Sequence, residues 1–333
     1  MDERLIRDPG EGVRREHGEA RRVDAGPVKA NYRAVDRGMT PVEAFRAVCA
    51  ACVQHIEANR HGALAAADPE YLHQLRVALR RMRTALEVFA DAVPEEIASS
   101  LRGELRWLAR ALGRARAWDV FIATTLKPAL SQRPRHPGLR ALRAASETLG
   151  AEARGAAHRV LESRRYYGVM RALRALSYAD GDEAGASTGT VRELPMRVRA
   201  ASVIAALYAK ARERGRKLMR LDDAGLERLR NSIRRLRYGL LFLTPILPRA
   251  RAASLAATVE MLQETLGDLN DCAVARELLR EARAEARGPQ RRKARRLLKK
   301  RLAAGRAARR EDLRTQWEDF RAAEKWWSPP GRG

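Results

Sequence analysis

Residues 71–89 read Tyr-Leu-His-Gln-Leu-Arg-Val-Ala-Leu-Arg-Arg-Met-Arg-Thr-Ala-Leu-Glu-Val-Phe, and their spacing decides the architecture. Wound as an α-helix at about 100° per residue, His73, Arg76, Arg80 and Arg83 fall within about 80° of one another. Leu75, Leu79, Met82 and Leu86 fill the adjoining arc. The segment is an amphipathic helix whose polar side is a row of cations. A rise of about 1.5 Å per residue sets the arginines of that row roughly 5 to 6 Å apart, the scale of successive charges along an extended polyanion. Arginine suits such a partner, because its planar fork meets two phosphate oxygens at once and stays ionised at any working pH.

The pattern returns at Glu227-Arg-Leu-Arg-Asn-Ser-Ile-Arg-Arg-Leu-Arg-Tyr238. Arg76, Arg80, Arg81 and Arg83 map onto Arg230, Arg234, Arg235 and Arg237 at a constant offset of 154, and the register extends to Leu112-Gly113 over Leu266-Gly267 and Val120 over Val274. A register held over so long a stretch marks an internal repeat. A solvated face balanced by nearby acids is the plainer account of one such helix; its recurrence argues for a shared role.

Helix signals run along the rest of the chain. Thr40-Pro-Val-Glu43 is a capping box with proline at the first helical position, Asp68-Pro-Glu70 starts the organising helix, and Pro94 separates it from a third. Gly113 reads as the stop of that third helix and Gly267 as its counterpart, with a fourth helix from near Trp118. Gln132–Gly138 is a proline-rich loop, Asp222-Asp223 caps the repeated motif, Pro245 and Pro248 end it, and Gly288-Pro289 precedes a basic stretch opening with Arg291–Arg301. No segment alternates with period two, so the fold is expected to be all-α. The expected organisation is a mobile leader over 1–37, a helical unit over 38–180, a glycine-rich linker over 178–190 and a second unit over 191–327.

The chain of 333 residues carries 66 Lys plus Arg against 41 Asp plus Glu, a net charge of +25. Only 8 of the cations are lysine. Such an excess points to a polyanionic partner: nucleic acid, an anionic membrane or polyphosphate. Aromatics at 5% are too few for a surface that stacks single-stranded bases. No run reaches the uncharged length of a bilayer span and the start lacks a signal peptide's apolar core, so a cytoplasmic protein with no membrane partner is expected. Cys49 and Cys52 form Cys-Ala-Ala-Cys, but no second pair follows, and they read as core side chains.

The run His73-Gln-Leu-Arg-Val-x-x-Arg-Arg-x-Arg83, its echo ending Leu236-Arg-Tyr238, the stretch Leu262-Gln-Glu-Thr-Leu-Gly-Asp-Leu-Asn-Asp271 and the closing Trp317-x-x-Phe320 and Trp326 resemble the CHAD family of histidine-containing α-helical domains. The resemblance covers roughly residues 40–327. It implies two four-helix bundles related by a pseudo-twofold axis, with a basic surface or pore that binds inorganic polyphosphate, and a location on polyphosphate granules. This chain departs from the family pattern in two places: Glu227 stands where a second histidine is usual, and Ala117 stands where an aspartate is expected after Arg116, although Asp119 is present. A triphosphate-tunnel domain, often fused to this family, is not expected, because the leader lacks a Glu-x-Glu-x-Lys strand.

The expected polyphosphate contacts are His73, Arg76, Arg80, Arg81, Arg83, Arg116, Arg216, Lys217, Arg230, Arg234, Arg235 and Arg237. Arg102, Arg106 and Arg110 form a flanking ladder whose repeat mates include Glu260 and Glu264. Arg116 and the Asn270-Asp271 pair are read mainly as packing residues. No metal is expected at His73, since none of His17, His55, His61, His136 or His158 stands one turn away and the repeat mate is Glu227. No phosphate loop, nucleophile elbow or His-Glu-x-x-His is present, so a binding module without catalytic residues or cofactor is expected. A nucleic-acid-associated basic protein is the alternative. Oligomeric state is not encoded in these patterns.

Overall fold

The capping signals lead directly into helices. In a computed structural model of the chain, which describes residues 26–30, 35–65, 68–178, 195–286, 288, 290–323 and 325–327, α1 spans Pro41–Leu64 and α2 spans Pro69–Val88. Thr40 accepts from the Glu43 amide while the Glu43 carboxylate accepts from the Thr40 amide at 2.8 Å, closing the capping box. Asp68 caps α2 by accepting from the Glu70 amide at 2.7 Å. The chain continues through α3 (Glu95–Phe121), α4 (Lys127–Gln132), α5 (Pro137–Leu161), α6 (Arg164–Tyr178), α7 (Met196–Arg214), α8 (Asp223–Leu243), α9 (Arg249–Glu285) and α10 (Arg291–Ala322). Among the described residues there is no strand, so the fold is all-α. No helix among them is long and apolar enough to cross a membrane.

Two expected helix stops are corrected. Gly113 lies inside α3 and Gly267 inside α9, because buried Leu112, Ala115 and Trp118 on one side and Leu266 and Leu269 on the other carry the helix through. The roughly 1 kcal/mol that an interior glycine costs is outweighed by that packing. A π-helical turn at Ile122–Leu126 then joins α3 to α4. Described residues of the expected leader ahead of α1 are packed. The Val28 carbonyl accepts from Asn59 at 2.9 Å and contacts His55 Nε2 at 3.1 Å, and Val35 is buried. Residues 1–25 and 31–34 of that leader, and 179–190 of the linker, lie outside the described residues.

α1 packs on α2 and α6, α2 on α3, and α3 on α5; α7 packs on α8, α8 on α9, and α9 on α10. The two sets meet where α2 touches α8 and where α3 and α5 touch α9. A single buried cluster runs through both, with Phe89, the residue that caps the end of α2, and Phe242 of α8 at 6.2 Å between ring centroids. The apolar stripes of α2 and α8 face this core. Their arginine stripes are left to face the space between α2, α3, α8 and α9.

Cys49 and Cys52 are buried in α1, and burial pushes the Cys52 thiol up to about 11 and the Cys49 thiol higher still, so both stay protonated core side chains. The α1–α2 crossing is tight at Gly62, where a β-carbon would stand 2.4 Å from the buried Tyr71 ring. Gly62→Ala is expected to destabilise the protein by about 1 to 3 kcal/mol through overpacking, read as a lower urea midpoint. A change under roughly 0.5 kcal/mol would show that the ring yields freely.

Candidate polyanion-binding site

α2 and α8 each contribute two arginines one turn apart, Arg76 and Arg80 from one and Arg230 and Arg234 from the other, and α3 adds Arg116. These side chains line two adjoining cavities of about 420 and 560 Å³, which share His73 and Arg80. The smaller holds Arg76, Arg116 and Arg230; the larger holds Arg234, Arg237 and Tyr238. Positions related by the offset of 154 wall the smaller cavity from opposite sides. Gly113, Arg116, Ala117, Val120 and Phe121 come from α3, and Asn270, Asp271, Val274 and Ala275 from α9. Gly113 lies beside the cation: a β-carbon there would stand in ordinary contact, 3.8 Å from Arg76 Nη2.

The cluster holds more positive charge than its own surroundings answer. Among the described residues none of Arg76, Arg80, Arg116, Arg230 and Arg234 is in an ion pair. Arg80 Nε is buried without a hydrogen-bond partner, as is Oε1 of Gln263 in the wall of the larger cavity. Burial, reinforced by Arg80, Arg230 and Arg116, pushes Arg76 down to about 10, and Asp271 opposes the shift. Burial likewise lowers Arg230, against Asp271, and lowers Arg234 strongly, with Arg230, Arg80 and Arg76 adding to the effect. Arg76 still stays charged at physiological pH, so the energy is stored as repulsion between desolvated cations. Burial also lowers His73, with Arg116, Arg80 and Arg76 acting in the same direction against Glu70. A neutral imidazole therefore sits at the junction of the two cavities.

The twofold resemblance of the sequence does not extend to the charges. Where one side presents His73 and Arg116, the other presents Glu227 and Asn270, and Asp271 faces Ala117. The charged side chains on one wall of the smaller cavity are arginines alone, and the opposite wall carries two carboxylates near Arg230.

Six of the twelve expected contacts form this lining with a seventh at its edge. His73, Arg76, Arg80, Arg116, Arg230 and Arg234 converge, and Arg237 lines the larger cavity while ion-paired to Glu260. Arg81 is a correction. It is only 1% exposed, its guanidinium lies 5.9 Å above the Phe242 ring, and its charge is felt by Cys52 and His55 of α1. One residue beyond Arg80, it is turned by about 100° into the core. Its repeat mate Arg235 pairs with Glu87 at 2.9 Å and lines neither cavity. Arg83 also falls outside, among Arg106, Arg235, Glu87 and Arg110. Arg216 and Lys217 are exposed in the turn after α7, beside Gly215, whose position abuts Trp317 of α10, and they line neither cavity.

Asn270 and Asp271, read from the sequence as packing residues, line the smaller cavity beside the expected contact Arg116, and Gln263, which the sequence reading gives no role, lines the larger. The signal was available in α9, where Glu260, Gln263, Asn270, Asp271 and Val274 follow helical spacing along one stripe facing the cavities. Three other histidines have structural partners: His55 contacts Gln74 at 3.0 Å, His136 caps α5, and His158 contacts the Ala63 carbonyl at 3.1 Å.

The CHAD domain family matches residues 47–280. Among solved structures, the chain is similar to the CHAD domain from the plant Ricinus communis, at 29% identity over 90% of this chain and 98% of that one, with a TM-score of 0.73. It also shares its fold with PptA from Streptomyces chartreusis, at 15% identity over 84% of this chain and 100% of that one, with a TM-score of 0.65. No curated protein matches. With the family pattern running from α1 into α9, across well over half its length, this chain belongs to the CHAD domain family.

Proposed function

We propose that the chain is a binding module for inorganic polyphosphate, that the ligand lies along the two joined cavities between α2 and α8, and that this interaction places the protein on polyphosphate granules. The observation that carries the reading is the convergence of five guanidiniums from three helices with no ion pair among the described residues. A polyanion replaces their repulsion with charge-assisted hydrogen bonds, each worth about 1.5 to 3 kcal/mol. A linear chain of phosphates is thin enough to run through recesses of this size and presents oxygens on every side to cations from opposite walls. Duplex DNA, whose major groove alone is about 12 Å wide, presents its phosphates on a convex cylinder that meets few of them. Membership of the CHAD family supports the same ligand class, and the reading assigns the module no catalytic step.

The test is competition and thermal shift. Long-chain polyphosphate should displace labelled polymer far better than duplex DNA or RNA at equal phosphate and fixed salt. It should also raise the melting temperature, by the equivalent of about 2.7 kcal/mol at one hundred times Kd. Orthophosphate at equal phosphate concentration should do little, because separate ions lack the effective concentration of a linked chain. Equal protection by both, or stronger competition by nucleic acid, overturns the proposal.

A further inference from the structure

α9 presents a second basic recess on its next face. Ala275 lines the smaller central cavity, and the following residue, Arg276, lines a separate cleft of about 350 Å³ between α9 and α10. Its other walls are Leu279, Arg280, Arg295 and Lys299, so four cations and one leucine enclose it and no carboxylate is among them. The acid that does reach this region is divided, because Asp223 at the start of α8 pairs with Arg276 through one oxygen and with Arg306 through the other. Arg295 Nε is buried with no hydrogen-bond partner. A concave site with an unanswered cationic donor and a surplus of positive charge selects an oxyanion rich in acceptors.

The geometry points to this α9–α10 cleft as a second phosphate-binding station, which holds the part of a long condensed-phosphate chain that extends beyond the central cavities. The inference rests on the reading of those cavities as the first station. The two sites share α9 as a wall, with Val274 and Ala275 in the central cavity and Arg276, Leu279 and Arg280 in the cleft, so a chain that leaves the central site around α9 meets the cleft. Once one segment is held, the next binds as an intramolecular event, so two moderate sites combine into a tight one only for ligands long enough to reach both. Chain length then becomes a property the protein measures, with the central cavities setting whether a condensed phosphate binds and the cleft setting how much longer chains gain.

The experiment compares tripolyphosphate with long-chain polyphosphate on four full-length variants by calorimetry. Arg280 and Lys299 are both exposed, so Arg280→Glu with Lys299→Glu should fold normally. Arg159→Glu with Arg171→Glu, on exposed positions of α5 and α6 that line neither site, makes the same change in net charge. The cleft variant should lose roughly tenfold or more in affinity for long chains and almost nothing for tripolyphosphate, while the control loses little for either. Arg295→Gln, which keeps the side chain's bulk and drops its charge, should reproduce the length-selective loss in smaller measure. An unchanged long-chain affinity in the cleft variant overturns the second station, as does an equal loss for both ligands or an equal loss in the control. A fourth variant separates the two readings. If Arg76→Ala with Arg80→Ala and Arg234→Ala leaves long-chain binding intact while the cleft variant abolishes it, the central assignment fails and the cleft stands as the primary site.

Discussion

With Arg76, Arg80 and Arg234 all replaced by alanine, affinity for long-chain polyphosphate should fall by roughly a thousandfold or more, while the unliganded protein should melt no lower than the wild type. Three charge-assisted contacts at about 1.5 to 3 kcal/mol each set the scale, and the low end is taken because neighbouring contacts are not additive. The stability arm follows from the same charges. All three groups are pushed towards neutrality or left with an unanswered buried donor, so removing them relieves repulsion at the expense of some packed methylene surface. The matched control is Arg102→Ala with Arg106→Ala and Arg110→Ala, where Arg102 pairs with Glu95, the other two are exposed, and none lines either cavity. That variant removes the same net charge and should lose no more than about threefold, as rim charges do. Glu227→Gln, which removes a carboxylate from the cavity wall, should move affinity the other way. Equal losses from the two triple variants would show that overall charge, and not this cluster, binds the polymer.

The distinction between clustered and ordinary arginines was only partly legible in the sequence. Helical phase was enough to place Arg76 and Arg80 on one face and to bring in Arg230 and Arg234 through the repeat, because side chains three and four residues apart share a face. The same arithmetic separates Arg81 from Arg80 by about 100°, but the repeat aligns the motif as a block and carries Arg81 along with its neighbours. Its burial against Phe242 depends on α8 lying beside α2, which no local pattern encodes. Arg83 fails for a related reason, since its place on the stripe is right but its neighbours there are Arg106, Arg235, Glu87 and Arg110, not the cavity lining. Gly113 differs from its expected role because a glycine after a leucine is a good helix stop only in isolation. In the fold it is an interior residue beside Arg76, and the helix continues to place Arg116 in the wall. Arg216 and Lys217 have only their charge to recommend them, and exposed charge in a turn carries no directional information.

The salt and pH dependence of binding separates arginine from histidine as the source of affinity. Five guanidiniums engaging phosphates release condensed counterions, and a slope of about −0.7 to −0.9 per contact predicts roughly a hundredfold loss or more between 50 and 200 mM salt. Over the same experiment the pH profile should be nearly flat from 7 to 9. Arg76 is lowered to about 10, which still leaves it protonated throughout that range. His73 is held below its usual value near 6.5 by burial and by Arg116, Arg80 and Arg76, so it is already neutral at pH 7 and has no charge to lose on going higher. The sign at lower pH is fixed by linkage: a bound polyanion favours the imidazolium, so binding takes up a proton there and affinity rises only as pH falls through the histidine range. His73→Gln should remove that acid-side rise, leave the profile above pH 7 in place, and weaken binding less than Arg80→Ala does. A tenfold fall in wild-type affinity between pH 7 and 8 that disappears in His73→Gln would instead require a charged imidazole within the cluster. The site would then be gated by histidine, with the arginines serving to shape it.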